Sequence, residues 1–319
     1  MSKNVLITGG AGFIGSVLSS LLIKKNYTVT IIDDLSTGKL KNINKKAKFY
    51  KSTFKSQNKI HNILKKNKIN IIYHLAAKMI NPRNVKEKNN LINSNITQTE
   101  TLLCAIKNTN VNKFIFASSA AVYGRKDGLI EEETKLKPIN IYGQTKKKGE
   151  GLVKKYAKKN NFKFAILRFF NVAGSDLKNN LGCSKTYGSL MNNLTNAIIN
   201  KKSFFINGSK FKSYDGTAIR DFIHVKDLAS VQFKILKLLN KKNVLINLGT
   251  GKGNSIKEIV KIFKKISKKD IDIVYKKPID IEIPISIAST KKINKLQLIN
   301  KFSKINKICE DHFNYLKST

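Results

Sequence analysis

The sequence predicts an α/β fold: a doubly wound parallel sheet followed by a smaller mixed α+β region. Three patterns carry this reading. From the start to about residue 170, short β-branched runs alternate with longer helical stretches, as in a parallel sheet covered on both faces. A glycine-rich turn follows the first run and opens a helix. Beyond Gly174 the texture changes to Gly, Ser, Asn and Lys loops mixed with helices; Val244 to Leu248 then reads as one more strand, so the chain returns to its first sheet before finishing.

The elements follow in order. Strands are expected at Asn4 to Thr8, Thr28 to Asp33, Ala47 to Tyr50, Ile69 to Leu75, Lys113 to Ala117 and Phe162 to Arg168, each too short and too β-branched for a buried helix. Between them, helical patterning fills Phe13 to Lys25, Ser56 to Asn67, Asn89 to Asn108 and Tyr142 to Asn161. No internal repeat or low-complexity linker interrupts them.

At 319 residues and 41% hydrophobic, the chain can bury a sizeable core in one large or two joined domains. Apolar stretches such as Asn4 to Thr8 and Phe162 to Phe170 fall far short of the ~20 residues of a membrane span. No secretory leader is expected ahead of the first strand, and Cys104, Cys183 and Cys309 are too scattered for a disulfide framework or a zinc knuckle. A cytoplasmic setting fits these features. A formal charge of +41 would alone suggest nucleic acid or an anionic membrane. The lysines, however, are spread along the whole chain, which marks a background usage of residues, and neither partner is expected. Against that background the four arginines, Arg83, Arg125, Arg168 and Arg220, point to places where a planar fork matters.

Two motifs carry chemistry. Thr8-Gly9-Gly10-Ala11-Gly12-Phe13-Ile14-Gly15 places glycines where a backbone can approach a pyrophosphate and meet free N–H groups at a helix start. The next strand ends in Asp33, about 20 residues on, where a carboxylate binds an adenosine ribose and repels a 2′-phosphate. Together they predict a dinucleotide, NAD rather than NADP. In Tyr142-Gly143-Gln144-Thr145-Lys146, a phenol and an ammonium share one helix face, and the cation is expected to draw the phenol's pKa down from ~10. Phe116-Ala117-Ser118-Ser119-Ala120-Ala121-Val122-Tyr123-Gly124 lies at the carboxyl end of a strand, the edge where such sheets bind ligands. Arg220 suits a diphosphate bidentately, with bracing of Asp221 or Asp227 as the other reading. Arg168, inside a strand, is expected to be structural. His74 and His224 sit at strand ends without a third ligand, so no metal is expected.

With these residues in place, the chain resembles the extended short-chain dehydrogenase/reductases, the NAD-dependent epimerase/dehydratase family, and is similar to their UDP-hexose 4-epimerase branch over nearly its full length. The matching segments are TGGAGFIG (8–15), TIIDDLSTG (30–38), YHLAA (73–77), ASSAAVYG (117–124), YGQTK (142–146), LRFFNVAG (167–174), DGTAIRDFIHVKDLA (215–229) and NLGTGKG (247–253). The resemblance implies a Rossmann domain for NAD over 1–175, to which the chain returns at about 222–248, and a substrate-binding region over 176–319. It implies Ser119, Tyr142 and Lys146 as the catalytic trio.

NAD contacts are implied for Gly9, Gly12, Phe13, Ile14, Gly15 and Asp33, for the loop Asp34, Leu35, Ser36, Thr37 and Gly38, and for Thr53. Further contacts are implied at Leu75, Ala76, Ala77, Lys78, Asn95, Tyr142, Lys146 and Phe170. The UDP-sugar would meet Ser119, Asn171, Ser189, Leu190, Phe205, Asn207, Arg220, Lys277 and Asp280. The implied reaction is epimerisation at carbon 4, UDP-glucose to UDP-galactose, through a transient 4-keto sugar, in a homodimer packed through the long helices Asn89 to Asn108 and Tyr142 to Asn161. A dehydratase would need Asp-Glu after the catalytic Ser, and here Ala120 and Ala121 follow. Several positions depart from the branch: Thr53 stands for an Asp and Lys277 for an Arg, Ser189 and Asn192 alter the diphosphate loop, and Pro284 stands where a larger side chain closes the sugar pocket. An N-acetylhexosamine or uronate 4-epimerase, another sugar-nucleotide epimerase or dehydratase, and a non-catalytic NAD- or RNA-binding protein remain open alternatives.

Overall fold

The computed structural model describes residues 3–79, 87–186, 188–278, 283–298 and 301–319. The chain groups into two compact units. The first holds Met1–Gly124, Leu136–Arg168 and Ala229–Ile246; the second holds Arg125–Lys135, Phe169–Leu228 and Asn247–Thr319.

In chain order the elements begin with β1 (Asn4–Thr8), α1 (Phe13–Lys24), β2 (Thr28–Asp33), β3 (Lys48–Lys51), α2 (Gln57–Lys66) and β4 (Ile71–His74). They continue with α3 (Lys88–Ile92), a π-helical turn (Asn93–Thr97), α4 (Gln98–Ala105), β5 (Lys113–Ser119), β6 (Gly128–Ile130), α5 (Ile141–Asn160) and β7 (Lys163–Phe169). Next come β8 (Asn171–Ala173), α6 (Leu190–Ile199), β9 (Phe204–Asn207), β10 (Ile219–His224), α7 (Val225–Leu238) and β11 (Val244–Leu248). The chain ends with β12 (Gly253–Ser255), α8 (Ile256–Ser267), β13 (Ile273–Lys276), β14 (Ile285–Ala288), α9 (Lys291–Lys295) and α10 (Ile305–Ser318).

The large sheet runs β3-β2-β1-β4-β5-β7-β11. Its order reverses between β1 and β4, which pair in parallel with Thr8 opposite His74, so the carboxyl ends of both strands face one switch point. One of its faces is covered by α2, α4 and α5: Leu6, Ile32, Ile72, Phe114 and Phe116 of the strands pack with Ile60, Ile63, Leu64, Leu102, Leu103, Leu152 and Val153. Each fully buried apolar side chain contributes roughly 1.5–3 kcal/mol. Helix starts are fixed by polar caps. Ser56 Oγ accepts from Lys59 N at the start of α2, and Asn140 Oδ1 accepts from Gly143 N at 2.7 Å at the start of α5.

In the second unit β12, β10, β14 and β6 form a sheet with β8 alongside β10, and β9 and β13 form a parallel pair. Phe222 of β10, Met191, Leu194 and Ile198 of α6, Ile259, Val260 and Phe263 of α8, and Ile308 and Phe313 of α10 make its core. A capping box between Ser255 and Glu258 starts α8.

Two sequence expectations change. The helix expected over 89–108 is broken by the π turn and stops at Ala105. The domain limits also move. Residues 169–175 and 222–228 group with the second unit because β8 pairs with β10, Asn171 opposite Phe222, and residues 125–135 join it because β6 pairs with β14.

Candidate active site

The glycine turn is built for close approach. Gly9 has φ +71°, and a side chain at Gly15 would lie 2.2 Å from Gly9 O, so α1 can start hard against β1 only with glycine there. A side chain at Gly12 would meet only Gly9 O, at 3.4 Å, which leaves this stretch of backbone open on its outer side. Gly12 caps α1 without a side chain, and no acidic residue stands in the first turn at Phe13, Ile14 and Gly15. Open N–H groups on the positive end of a helix fit a pyrophosphate.

Asp33 is buried, and its oxygens accept from Ala11 N at 3.0 Å and Leu35 N at 2.8 Å. One carboxylate thus ties the turn to the next loop while keeping lone pairs for ribose hydroxyls; burial pushes its pKa up. In that loop Asp34 caps Ser36 N, and Gly38 comes so close that a side chain would lie 2.8 Å from Ala11 Cβ. Thr53 follows β3, half-buried, its carbonyl taken by Ser52 Oγ.

A one-way row of hydrogen bonds joins this turn to the end of β4. Ala76 N donates to Thr8 Oγ1 (3.1 Å), which lies 2.8 Å from His74 Nδ1; His74 Nε2 lies 2.8 Å from Thr99 Oγ1, which donates to Asn95 O (2.8 Å). With both hydroxyls placed this way, His74 carries its proton on Nε2, and burial with the nearby Lys146 charge drives its pKa down to about 3. Asn95, in the π turn, accepts from Lys78 N (2.8 Å) and donates to Lys78 O (2.9 Å) and Thr145 Oγ1 (3.2 Å). Its amide therefore holds segment 75–78, which carries Leu75, Ala76, Ala77 and Lys78, and braces α5. Thr8, Thr99 and Thr145 carry no sequence signal of this role; only the fold brings them together.

The structure brings Ser119, Tyr142 and Lys146 together. Ser119 ends β5, its Oγ accepting from Ala121 N at 3.2 Å. A side chain at Gly143 would lie 2.4 Å from Ala121 O, so α5 begins against the turn that follows Ser119. The Ser119 hydroxyl acts on the Tyr142 phenol, drawing its pKa down in part. Lys146 Nζ donates to Ala117 O at 2.8 Å and lies 5.7 Å from the Tyr142 ring centroid. The expected downward pull on the phenol is overturned: burial pushes Tyr142 up to about 12, Ser119 opposing only in part, and burial brings Lys146 down to about 8 with Glu150 opposing. Loss of water contact is the largest influence on both groups.

Beneath α5, Arg168 and Glu150 form a bidentate pair at 2.9 and 2.8 Å, each side chain 3% exposed, as the structural expectation for Arg168 holds. Ser118 Oγ donates to Glu150 at 2.6 Å and Arg168 to Tyr123 Oη at 2.8 Å. Glu150, four residues after Lys146 on the same helix, was the available sequence signal for this network.

The second unit carries the remaining predicted residues. Phe170 is buried just after β7, its N bonded to Leu248 O at 3.0 Å, and Asn171 is exposed on β8. Ser189 caps α6 and Leu190 begins it. Phe205 on β9 is 49% exposed with Lys276 Nζ 3.6 Å from its ring centroid; Asn207 ends β9, and Lys277 follows β13. Asp280 lies outside the described residues. Arg220 Nη1 donates to Ile219 O (2.9 Å) and Pro284 O (3.2 Å). Its suggested acidic partners are engaged elsewhere: Asp221 by Thr250, Gly251 and Ala288, Asp227 by Lys301, Phe302 and Ser303. Among the described residues no cluster suits a metal ion, and no helix is long and apolar enough to cross a membrane.

The profile of the NAD dependent epimerase/dehydratase family matches residues 5–249. A UDP-glucose 4-epimerase of Lactobacillus helveticus is 37% identical over 273 residues, covering 84% of this chain and 82% of that protein. A crystal structure of a UDP-glucose 4-epimerase superimposes with a TM-score of 0.94 at 30% identity, covering 99% of this chain and 98% of the other. That of the Bifidobacterium longum enzyme, in complex with NAD+ and UDP, gives 0.92 at 27% identity over 99% and 98%. A profile match across most of the chain, on a switch-point glycine turn with serine, tyrosine and lysine gathered at the next strand ends, means that this chain belongs to the NAD-dependent epimerase/dehydratase family.

Proposed function

We propose that the protein interconverts a UDP-hexose and its carbon-4 epimer, UDP-glucose and UDP-galactose being the pair, with NAD held throughout. The observation that carries this is the grouping of Ser119, Tyr142 and Lys146, with Ala120 and Ala121 following Ser119 in a tight turn where a dehydratase would need an acid and a base. NAD supplies the hydride acceptor and, on the return, the donor. Once ionised to the phenolate, Tyr142 Oη takes the proton of the sugar 4-hydroxyl, and Ser119 donates to the same oxygen. A phenol pushed up to about 12 yields its proton only with help from positive charge, and Lys146 is the cation on its helix face. The flat 4-keto sugar turns about its diphosphate, takes hydride on its other face and recovers the proton from Tyr142. Asn171, Ser189, Leu190, Phe205, Asn207, Arg220, Lys277 and Asp280 are the residues proposed to hold the UDP-sugar.

Pro284 favours one second reading, because a small ring in place of a bulkier side chain leaves space for an N-acetyl group. Separate incubations with UDP-galactose, UDP-N-acetylgalactosamine and UDP-glucuronate, with the absorbance of enzyme-bound NADH recorded, test both readings. Isomer formation from UDP-galactose is expected, and absence of any isomer would remove the proposal. A cytoplasmic homodimer, packed through the helices at 88–105 and 141–160, completes the proposal. The three free thiols suit a reducing compartment, and a monomer by size-exclusion scattering would refute the dimer.

A further inference from the structure

The second unit contains a buried side-chain link that neither the family match nor the catalytic trio explains. Asn192, the third residue of α6, is fully buried, and both ends of its amide are used. Nδ2 donates to Ser184 O at 2.5 Å, which leaves Oδ1 to accept from Ser189 Oγ at 3.1 Å and from His312 Nε2 at 2.8 Å. Ser189 Oγ in turn accepts from Asn192 N at 3.3 Å. His312 sits on α10, 2% exposed, and burial brings its pKa down to about 4, so the imidazole stays neutral with its proton on Nε2. One amide therefore joins the final helix to Ser184 and Ser189, on either side of the approach to α6.

We propose that Asn192 and His312 are positioning residues for the UDP moiety: the His312–Asn192 link fixes the polypeptide leading into α6 so that Ser189 and Leu190 present themselves to the diphosphate and the nucleoside. The proposal rests on the epimerase reading of the second unit. It gives physical content to a departure of this chain from its family, an asparagine in the diphosphate loop. A side-chain clamp from α10 takes over the ordering of that loop. Local ordering before binding lowers the entropic cost of holding a ligand.

The test uses the full-length protein and UDP itself as probe, by isothermal titration calorimetry, alongside epimerase kinetics. Asn192→Ala and His312→Phe should each weaken UDP binding and raise KM for the UDP-sugar about tenfold, with kcat within twofold and bound NAD unaltered. His312→Gln, which can still donate to Asn192 Oδ1, should restore Kd to within threefold of wild type. Should Asn192→Ala not fold, Asn192→Ser with His312→Gln gives the same comparison. Variants that melt earlier yet bind UDP as tightly as wild type would show the link to be purely structural and overturn the proposal. Wild-type protein that fails to bind UDP would instead overturn the epimerase reading on which it rests.

Discussion

The two units differ in what most of their buried carboxylates do. In the first, apart from Asp33, which holds loop backbone, the charged groups stand on regular elements and meet one another: Lys146 and Glu150 on α5, Arg168 on β7, with His74 at the end of β4 kept neutral. In the second, carboxylates serve mainly to hold loop backbone. Asp221 accepts from Thr250, Gly251 and Ala288, and Asp227 from Lys301 and Phe302. Groups on strands and helices can be placed precisely for proton transfer, whereas loops held by carboxylates can be shaped around a ligand. On the proposed epimerase reading, the contrast assigns chemistry to the first unit and recognition to the second.

Tyr142→Phe challenges this division most directly: it should lower kcat about a thousandfold without loss of bound NAD, measured by epimerisation of UDP-galactose. Near-normal turnover would end the assignment of chemistry to α5. Next in size, Glu150→Gln leaves Arg168 buried without its counter-charge and should cost ~3–5 kcal/mol in denaturant unfolding, part of which a paired Glu150→Gln/Arg168→Met variant recovers. Arg220→Lys probes the recognition half, because an ammonium lacks the planar fork; KM should rise roughly tenfold while kcat changes little.

The smallest effect is on pH dependence. His74 and His312 stay neutral in the folded chain down to about 3 and about 4, against 6.5 for a free imidazole. As pH falls the unfolded chain binds protons first, so their contribution to stability is complete above 6.5 and drains away toward those lower values. His312→Gln should therefore lose less Tm between pH 7 and pH 4 than wild type does, read by calorimetry at matched ionic strength.

The parts that could be read from the sequence are those where one residue type has one local use. β1, β2 and β11 fall where β-branched runs place them, and the glycine turn sits at the switch point because Gly9 and Gly15 tolerate what other residues cannot. Ser119, Tyr142 and Lys146 were accessible for the same reason, as short motifs at strand and helix ends. What stayed hidden depends on distant partners. Nothing near Asn192 announces His312, which is 120 positions away. The break in the 89–108 helix is invisible in the sequence because a single π turn is a rare insertion inside a helix that no residue pattern here singles out. The phenol's pKa departs from the sequence expectation because spacing along a helix reports neighbours but not how much water is lost.

That broken helix has a geometric consequence. An α-helix turns its side chains by ~100° with each residue, and a wider turn carries one residue more before the axis resumes, so α3 and α4 are out of phase by about a quarter revolution. The offset lets Asn95 face inward while the rows before and after keep their own apolar faces toward the protein. Shortening the segment by a single position would restore regular winding and swing that amide away from Lys78 and Thr145, unfastening segment 75–78 and α5 together.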